Sequence, residues 1–154
     1  MKVWVDADGC PKMVKEIVFR AVARLKIPTV VVANHEMYIP RSDVISKVLV
    51  QKGFDVADHY IIEHVEPFDL VITADIPLAA EIVERDAFAL SPRGELYTEE
   101  NIRERLSIRN FMQDIRDHGG STSGPRPLSE RNRREFASSF DRTLTLLRRR
   151  ESPL

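Results

Sequence analysis

This chain of 154 residues has little cysteine, no long apolar run and no lysine in its C-terminal part. It holds one cysteine, no apolar run approaching about 18 residues, and no lysine after Lys52. A single cysteine excludes an intrachain disulfide and agrees with a reducing cytoplasm. The lack of a long apolar run argues against a membrane span, and the early charges argue against a signal peptide. We therefore expect one compact cytoplasmic domain with no membrane partner.

Histidine and cysteine show no pattern that indicates chemistry. The four histidines have no zinc-ligand spacing, and none has a spacing that pairs it with Cys10 as a catalytic dyad. A thiol nucleophile needs such a base, so we interpret Cys10 as a small packing residue.

Charge is divided unevenly along the chain. Residues 1–102 hold 17 acidic and 11 basic side chains, a net charge of −6, whereas residues 103–150 hold 12 arginines and 6 acids, a net charge of +6. Arginine forks onto phosphate oxygens, so this asymmetry can indicate nucleic-acid binding. An ordinary solvated helix face is the commoner cause of such a charge run.

Short apolar runs alternate with helical patterns over the first ninety residues. Runs at residues 2–6, 28–33, 69–73 and 87–90 are typical of buried parallel strands. Apolar spacing predicts helices at residues 11–25, 42–52, 57–65 and 75–85. The alternation predicts an α/β fold, a single three-layer domain with a mostly parallel sheet of four or five strands, followed by C-terminal helices.

The pattern changes after residue 90. Thr98 can cap a helix, and residues 119–128 are rich in glycine, serine and proline, which predicts a flexible loop. A final helix carries an apolar stripe that we expect to dock on the domain, with arginines on its other face. We therefore divide the chain into an α/β domain over 1–118, a loop over 119–128 and an arginine-rich helix over 129–150.

The most informative stretch is an apolar strand that ends in two aspartates, Val3-Trp4-Val5-Asp6-Ala7-Asp8-Gly9. If the strand runs through Asp8, both carboxylates share one face; if it stops at Asp6, both lie on one strand-to-helix loop. Open α/β sheets bind ligands at the carboxyl ends of their strands. Neighbouring carboxylates repel unless a cation neutralises them, which predicts a Mg²⁺ or Mn²⁺ site.

Further acids are expected at the same sheet edge. Asp75 follows the third strand, and Asp58 shares a predicted helix face with Asp55. Taken alone, Asp75 fits a helix cap and Asp58 a surface acid. Together with the first strand they suggest a cluster for metal-assisted phosphodiester hydrolysis. The predicted metal ligands are Asp6, Asp8, Asp58 and Asp75, and the predicted catalytic residues are Asp6, Asp8 and Asp75.

Five residues are candidates for binding substrate. Asn34 and Thr73 follow strands at the same edge of the sheet. Arg93 comes just after the fourth predicted strand, where it can contact a phosphate or stabilise a turn. Arg131 and Arg134 lie on the arginine face of the final helix, which suits a phosphate backbone.

The motif at residues 5–11 resembles the N-terminal signature of the YaiI/YqxD family of small bacterial proteins. The agreement continues in order over most of the chain, at residues 32–34, 53–58, 71–79, 90–94, 97–102 and 124–127. Two small departures are Gly9, where the family often has alanine, and Leu128, where an aromatic residue often stands. Neither departure touches a predicted ligand.

The family's fold resembles the PIN-like nuclease group, whose members hold Mg²⁺ or Mn²⁺ with acids at strand ends. This resemblance implies that Asp6 is the first strand-end acid and Asp75 the acid after the later strand. It makes Asp58 a weaker match to the helix-borne acid between them, and Asp8 an extra acid of the family's own signature.

Three functions follow from these patterns. The leading one is a metal-dependent ribonuclease-like enzyme whose arginine-rich tail grips RNA. The second is a haloacid-dehalogenase-like phosphatase with Asp6 as nucleophile and Asp8 as acid/base, against which stands the missing lysine after Lys52. The third is a non-catalytic RNA-binding module. The expected partners are RNA and, in a homodimer, a second copy of the chain.

Overall fold

The computed structural model describes residues 1–53, 55–120 and 127–151. The strands are β1 (Val3–Asp6), β2 (Thr29–Ala33), β3 (Ile45–Leu49), β4 (Leu70–Ile72), β5 (Phe88–Leu90) and β6 (Leu96–Tyr97). The helices are α1 (Lys12–Leu25), α2 (Val56–His64), α3 (Ile76–Glu84), α4 (Glu99–Asp117) and α5 (Glu130–Glu151). Most of the loop predicted over 119–128 lies outside the described residues, at 121–126.

The six strands form one sheet in the order β3-β2-β1-β4-β5-β6. All neighbouring pairs are parallel except β5 and β6. The predicted α/β class with a mostly parallel sheet is confirmed, and the sheet has six strands rather than four or five. The two additional strands are the edge strands β3 and β6, which the sequence patterns did not predict.

The sheet is covered by helices on both faces, and β1 shows how the sequence achieves this. Successive strand residues point to opposite faces. Val3 and Val5 pack in one core with residues of α1 and α5, whereas Trp4 packs in a second core with residues of α2, α3 and α4. Asp6, two residues after Trp4, therefore faces the α2–α3 side at the carboxyl end of the strand.

The final helix docks on the domain through its apolar stripe. Phe136, Phe140, Leu144 and Leu147 are fully buried and belong to the same core as β1 and α1. Ser129 precedes the helix, and its Oγ accepts a hydrogen bond from the Asn132 N–H, as an N-cap does. Neither α5 nor any other helix among the described residues is long and apolar enough to cross a membrane.

The helix predicted over 42–52 is wrong: this segment contains β3. Its residues Ile45 to Leu49 pair in parallel with Thr29 to Ala33 of β2. The apolar positions Val44, Ile45, Val48 and Leu49 fit helical spacing, but Ile45 is buried while Leu49 is 51% exposed. As an edge strand, β3 needs little apolar alternation, so helical and extended patterns are hard to distinguish here.

Candidate metal centre

The candidate site lies where the strand order of the sheet reverses direction. From β1 the chain passes outward to β2 and β3, then crosses back to place β4 on the other side of β1. Such a switch point leaves a crevice at the carboxyl ends of the two central strands, where α/β sheets bind ligands. Asp6 ends β1, and Thr73 and Asp75 follow β4. The topology therefore brings the two acidic strand ends together, as the sequence predicts.

A chain of hydrogen bonds links these two strand ends. The Thr73 Oγ1–H donates to Asp6 Oδ2 over 2.8 Å, and the same hydroxyl accepts from the Asp75 N–H over 3.0 Å. Asp75 Oδ1 accepts from the Leu78 N–H over 2.9 Å, so Asp75 also caps α3. Thr73 is fully buried and Asp6 is 5% exposed. The strand ends are thus held rigidly, and Thr73 orients Asp6 instead of facing a substrate.

The start of α2 supplies two more carboxylates. Asp55 precedes the helix in the left-handed conformation, at φ 62°, and Asp58 lies in the first turn. One carboxylate oxygen from each of Asp55, Asp58 and Asp75 lies within 4.8 Å of the other two. These oxygens are close enough to share a cation.

Burial and nearby negative charges make Asp6 and Asp58 unusually hard to ionise. The pKa of Asp6 is raised from 3.8 to about 6, mainly by burial. The hydrogen bond from Thr73 lowers this pKa, and the charges of Asp75 and Asp8 contribute to its rise. The pKa of Asp58 is raised to about 7, mainly by burial. The charges of Asp75, Asp6 and Asp55 and an interaction with the Asp75 side chain contribute to this rise. The cluster thus has a surplus of negative charge that a divalent cation would neutralise.

The chemistry of the donors fits a hard divalent cation. The acid cleft, which we define by Asp6, Asp8, Asp55, Asp58 and Asp75, has a volume of about 480 Å³. Its charged ligand atoms are carboxylate oxygens, which suit Mg²⁺ and Mn²⁺ better than zinc or copper. The Asp58 and Asp75 carboxylates approach each other within 4.8 Å, and a cation between them would replace the proton that the raised pKa of Asp58 favours.

Asp8 and Asn34 lie in the cleft but outside the three-carboxylate group. The strand stops at Asp6 and a 3-10 turn over Ala7–Gly9 follows, so Asp8 diverges from Asp6. Asp8 is exposed, and its Oδ1 lies 3.1 Å from His35 Nδ1. Asn34 is half-buried and lines the same cleft. The structure therefore places both residues where they can contact a ligand in the cleft.

None of the three predicted substrate-binding arginines lines the acid cleft. Arg93 follows β5, and its Nη1–H donates to Asn132 Oδ1 of α5 over 3.2 Å. Arg131 is exposed and pairs with Glu135 over 2.9 Å. Arg134 is exposed on the same helix. These side chains lie beyond the acids and can reach only a substrate that extends out of the cleft.

Asp55 is the acid that the predicted ligand set omits. Its signal was present, because it stands three residues before Asp58 and was expected on the same helix face. Its left-handed conformation at the start of α2 places it beside Asp75, and no sequence pattern indicates that contact. His35 beside Asp8 carries no sequence signal of its own.

Replacing Thr73 with valine is expected to destabilise the protein by about 1–3 kcal/mol, because Asp6 Oδ2 and the Asp75 N–H each lose a buried partner. The loss should be larger at pH 8 than at pH 4.5, since the ionised Asp6 carboxylate depends most on the donor. Urea unfolding at both pH values measures it. Thr73→Ser, which keeps the hydroxyl, is the control. Equal losses for Thr73→Val at the two pH values would contradict the assigned hydrogen bond.

The single thiol is expected to be inert in the folded protein. Cys10 is 5% exposed, and burial raises its pKa to about 12, although the charge of Lys15 lowers it. Because only the thiolate is nucleophilic, a disulfide reagent at pH 8 should label Cys10 in urea but not in buffer. Rapid labelling of the native protein would contradict its interpretation as a packing residue.

Comparison with known proteins identifies the family. A family model described as an uncharacterised YaiI/YqxD family matches residues 4–146. A UPF0178 protein of Shewanella sp. strain ANA-3 is 56% identical over 143 residues, which cover 93% of this chain and 95% of the relative. A UPF0178 protein of Geobacter sp. strain M21 is 54% identical over 153 residues, which cover 99% of each chain.

Among solved structures, that of Rae1 (YacP) from Bacillus subtilis, a W164L mutant, is similar with a TM-score of 0.44 and 16% sequence identity. The similarity covers 86% of this chain and 90% of that one. The assignment of a family rests on the sequence matches, which extend over nearly the whole chain. The chain therefore belongs to the YaiI/YqxD family.

Proposed function

We propose that this protein is a metal-dependent phosphodiesterase that cleaves RNA at the acid cleft. The observation that supports this proposal most is the charge of the cleft. Five aspartates line it, and none of the described residues that line it is basic. A phosphodiester carries negative charge and would be repelled by these carboxylates. A phosphate group can therefore approach the cleft closely only after a cation has offset much of this negative charge.

Within this proposal, Asp58 and Asp75 hold the cation, and Asp55 completes the group because its carboxylate lies within 4.8 Å of both. Asp6 adds negative charge behind them and is fixed by Thr73. Bound Mg²⁺ or Mn²⁺ would supply Lewis-acid stabilisation of charge on the phosphate oxygens and favour deprotonation of water. Asp8 and Asn34 at the cleft wall are placed to orient a water molecule or a ribose hydroxyl by hydrogen bonds.

Recognition of RNA is assigned to the arginines beyond the cleft. Arg93, Arg131, Arg134 and Arg142 line one concave surface where α5 meets the loop after β5. Arginine side chains bind phosphate in a forked geometry, and such contacts give affinity with little sequence preference. The resemblance of the family to PIN-like nucleases supports RNA as the substrate class, and the single cysteine supports action in the cytoplasm.

Cleavage of a panel of RNA and DNA oligonucleotides with Mg²⁺ or Mn²⁺ tests this proposal. Wild-type protein should cleave RNA, and Asp6→Asn protein purified in parallel should not. Asp43→Asn is the matched control, since Asp43 is exposed and pairs only over 3.6 Å with Lys26. No cleavage by wild type above the level of Asp6→Asn would sink the proposal.

The other two functions predict different results, each with its own measurement. A phosphatase would form an aspartyl-phosphate on Asp6, which can be trapped and located by mass spectrometry. The lack of a basic residue among those described at the cleft makes that outcome unfavourable. A non-catalytic binding module would bind RNA with steep salt dependence, and loss of Asp6 and Asp8 would leave that binding unchanged.

A further inference from the structure

Three concave surfaces adjoin one another along the side of the molecule that carries the acids. Next to the acid cleft lies a second cavity of about 530 Å³, which shares Gly9 and Ala74 with it. We call this the middle cavity and define it by Pro11, Ile76, Pro92, Tyr97 and Leu128, with Arg93, Glu95 and Arg105. It shares Arg93 and Glu95 with the concave arginine surface on α5.

The shared residues make the three surfaces one path. Gly9 and Ala74, which separate the acid cleft from the middle cavity, are both exposed and have the smallest side chains. A polymer can therefore pass over them without meeting a bulky barrier. At the other end, Arg93 contacts Asn132 of α5, so the middle cavity opens directly toward Arg131, Arg134 and Arg142.

The chemistry of the middle cavity differs from that of both neighbours. Its walls are mostly apolar, from two prolines, Ile76, Leu128 and the ring of Tyr97. Its polar groups converge on one side, where the Arg105 guanidinium forks onto the Glu95 carboxylate, with 2.8 Å between Nε and Oε1. Apolar walls with a few fixed donors and acceptors are the usual features of a pocket for a flat, partly polar ring.

We propose that the middle cavity binds the base of the nucleotide next to the phosphodiester in the acid cleft, so that the substrate is unpaired RNA. This inference rests on the proposed function, because it takes the acid cleft as the place of the phosphate. The base packs against the apolar wall and its edge reaches Glu95 and Arg105, while the following phosphates reach the arginine surface. A paired base cannot enter the cavity without leaving its partner, which excludes duplex RNA.

Binding of RNA to Asp6→Asn protein, which the proposed function expects not to cleave, tests the inference without any cleavage. Fluorescence anisotropy compares a labelled RNA hexanucleotide with versions that lack one base, in Mn²⁺ at fixed salt. Loss of the base at one position should weaken binding about tenfold, as expected for one stacked base, and the other positions should matter less. A blunt duplex of the same length should bind at least tenfold more weakly than the single strand.

Two variants connect the effect to this cavity. Leu128→Trp fills the half-buried rim of the middle cavity. It should weaken binding of the intact oligonucleotide, but not of the version that lacks the base at the sensitive position. Leu146→Trp is the matched control, since Leu146 is exposed on α5 and does not line the path. Equal weakening of both oligonucleotides by Leu128→Trp, or equal affinity of all base-deleted versions, would overturn the inference.

The outcome is separable from that of the proposed function. If wild-type protein cleaves RNA but base deletion has no effect on binding, the phosphodiesterase activity is supported and the base site is contradicted. If one base position controls binding but no cleavage occurs with either Mg²⁺ or Mn²⁺, the base site is supported and the catalytic proposal is contradicted.

Discussion

Asp75→Asn is expected to lower the rate of metal-dependent RNA cleavage by about 10²–10³-fold while leaving the protein folded. Loss of one charged ligand removes several kcal/mol of charge stabilisation in the transition state, and about 1.4 kcal/mol corresponds to a factor of ten. The fold is spared because asparagine caps a helix as well as aspartate does, so its side-chain oxygen can still accept from the Leu78 N–H. Single-turnover cleavage rates, with thermal unfolding of the same samples, measure both effects.

A control variant and a stability measurement accompany this prediction. Asp43→Asn should cleave at the wild-type rate. In Asp75→Asn the pKa of Asp58 should fall toward its ordinary value, because the charge of Asp75 helps to raise it. The variant should therefore be as stable as wild type at pH 8, or slightly more stable. If Asp75→Asn retains more than a tenth of the wild-type rate, Asp75 does not hold the cation.

The second large effect is a loss of stability as pH rises. The folded state holds a proton on Asp6 up to a pKa of about 6, while the unfolded chain releases it near 3.8. Between these values the folded state binds more protons, so the free energy of unfolding falls as pH rises from about 4 to about 7. Two pKa units correspond to about 3 kcal/mol from Asp6. Asp58 adds a smaller share, because it is half-exposed and solvent screens its charge.

Divalent cations should cancel this loss. At pH 8 a cation that neutralises the cluster stabilises only the folded state, and a concentration 100 times its Kd adds about 2.7 kcal/mol. For a chain of this size that raises the Tm by about 5–10 °C. At pH 4.5 the protonated carboxyls compete with the cation, so Mn²⁺ should have little effect. Scanning calorimetry at both pH values, with and without Mn²⁺, measures the difference.

The matched variant for the pH effect is Asp6→Asn. It removes the buried ionisable group, so its stability should vary less with pH than that of wild type, whereas Asp43→Asn should follow the wild-type profile. A wild-type stability that is flat from pH 4 to pH 8 and insensitive to Mn²⁺ would mean that the acids neither repel one another nor bind a cation.

The parts of the site that the sequence predicts are those governed by the sheet. Asp6 ends one apolar run and Asp75 follows another, both runs are typical of buried strands, and parallel strands bring their carboxyl ends to one edge. Their proximity therefore follows from the strand pattern. Asp58 was expected from its place in an amphipathic helix, and that helix does lie against the same edge.

The parts of the fold and of the site that the sequence does not predict depend on contacts between distant segments. Asp55 joins the cluster only because the chain turns through a left-handed residue before α2. The strand β3 is decided by pairing with β2, since the apolar spacing of residues 44–49 fits a helix equally well. The middle cavity is formed by residues from five separate segments, from Pro11 to Leu128, and no local pattern marks it.

Anomalous diffraction from crystals that contain Mn²⁺ tests the central claim most directly, because it locates the cation independently of any activity. The account predicts a strong anomalous peak among the carboxylates of Asp55, Asp58 and Asp75, beside Asp6, that disappears in Asp75→Asn. The absence of a peak at millimolar Mn²⁺, or a peak bound elsewhere on the surface with these carboxylates left apart, would contradict it.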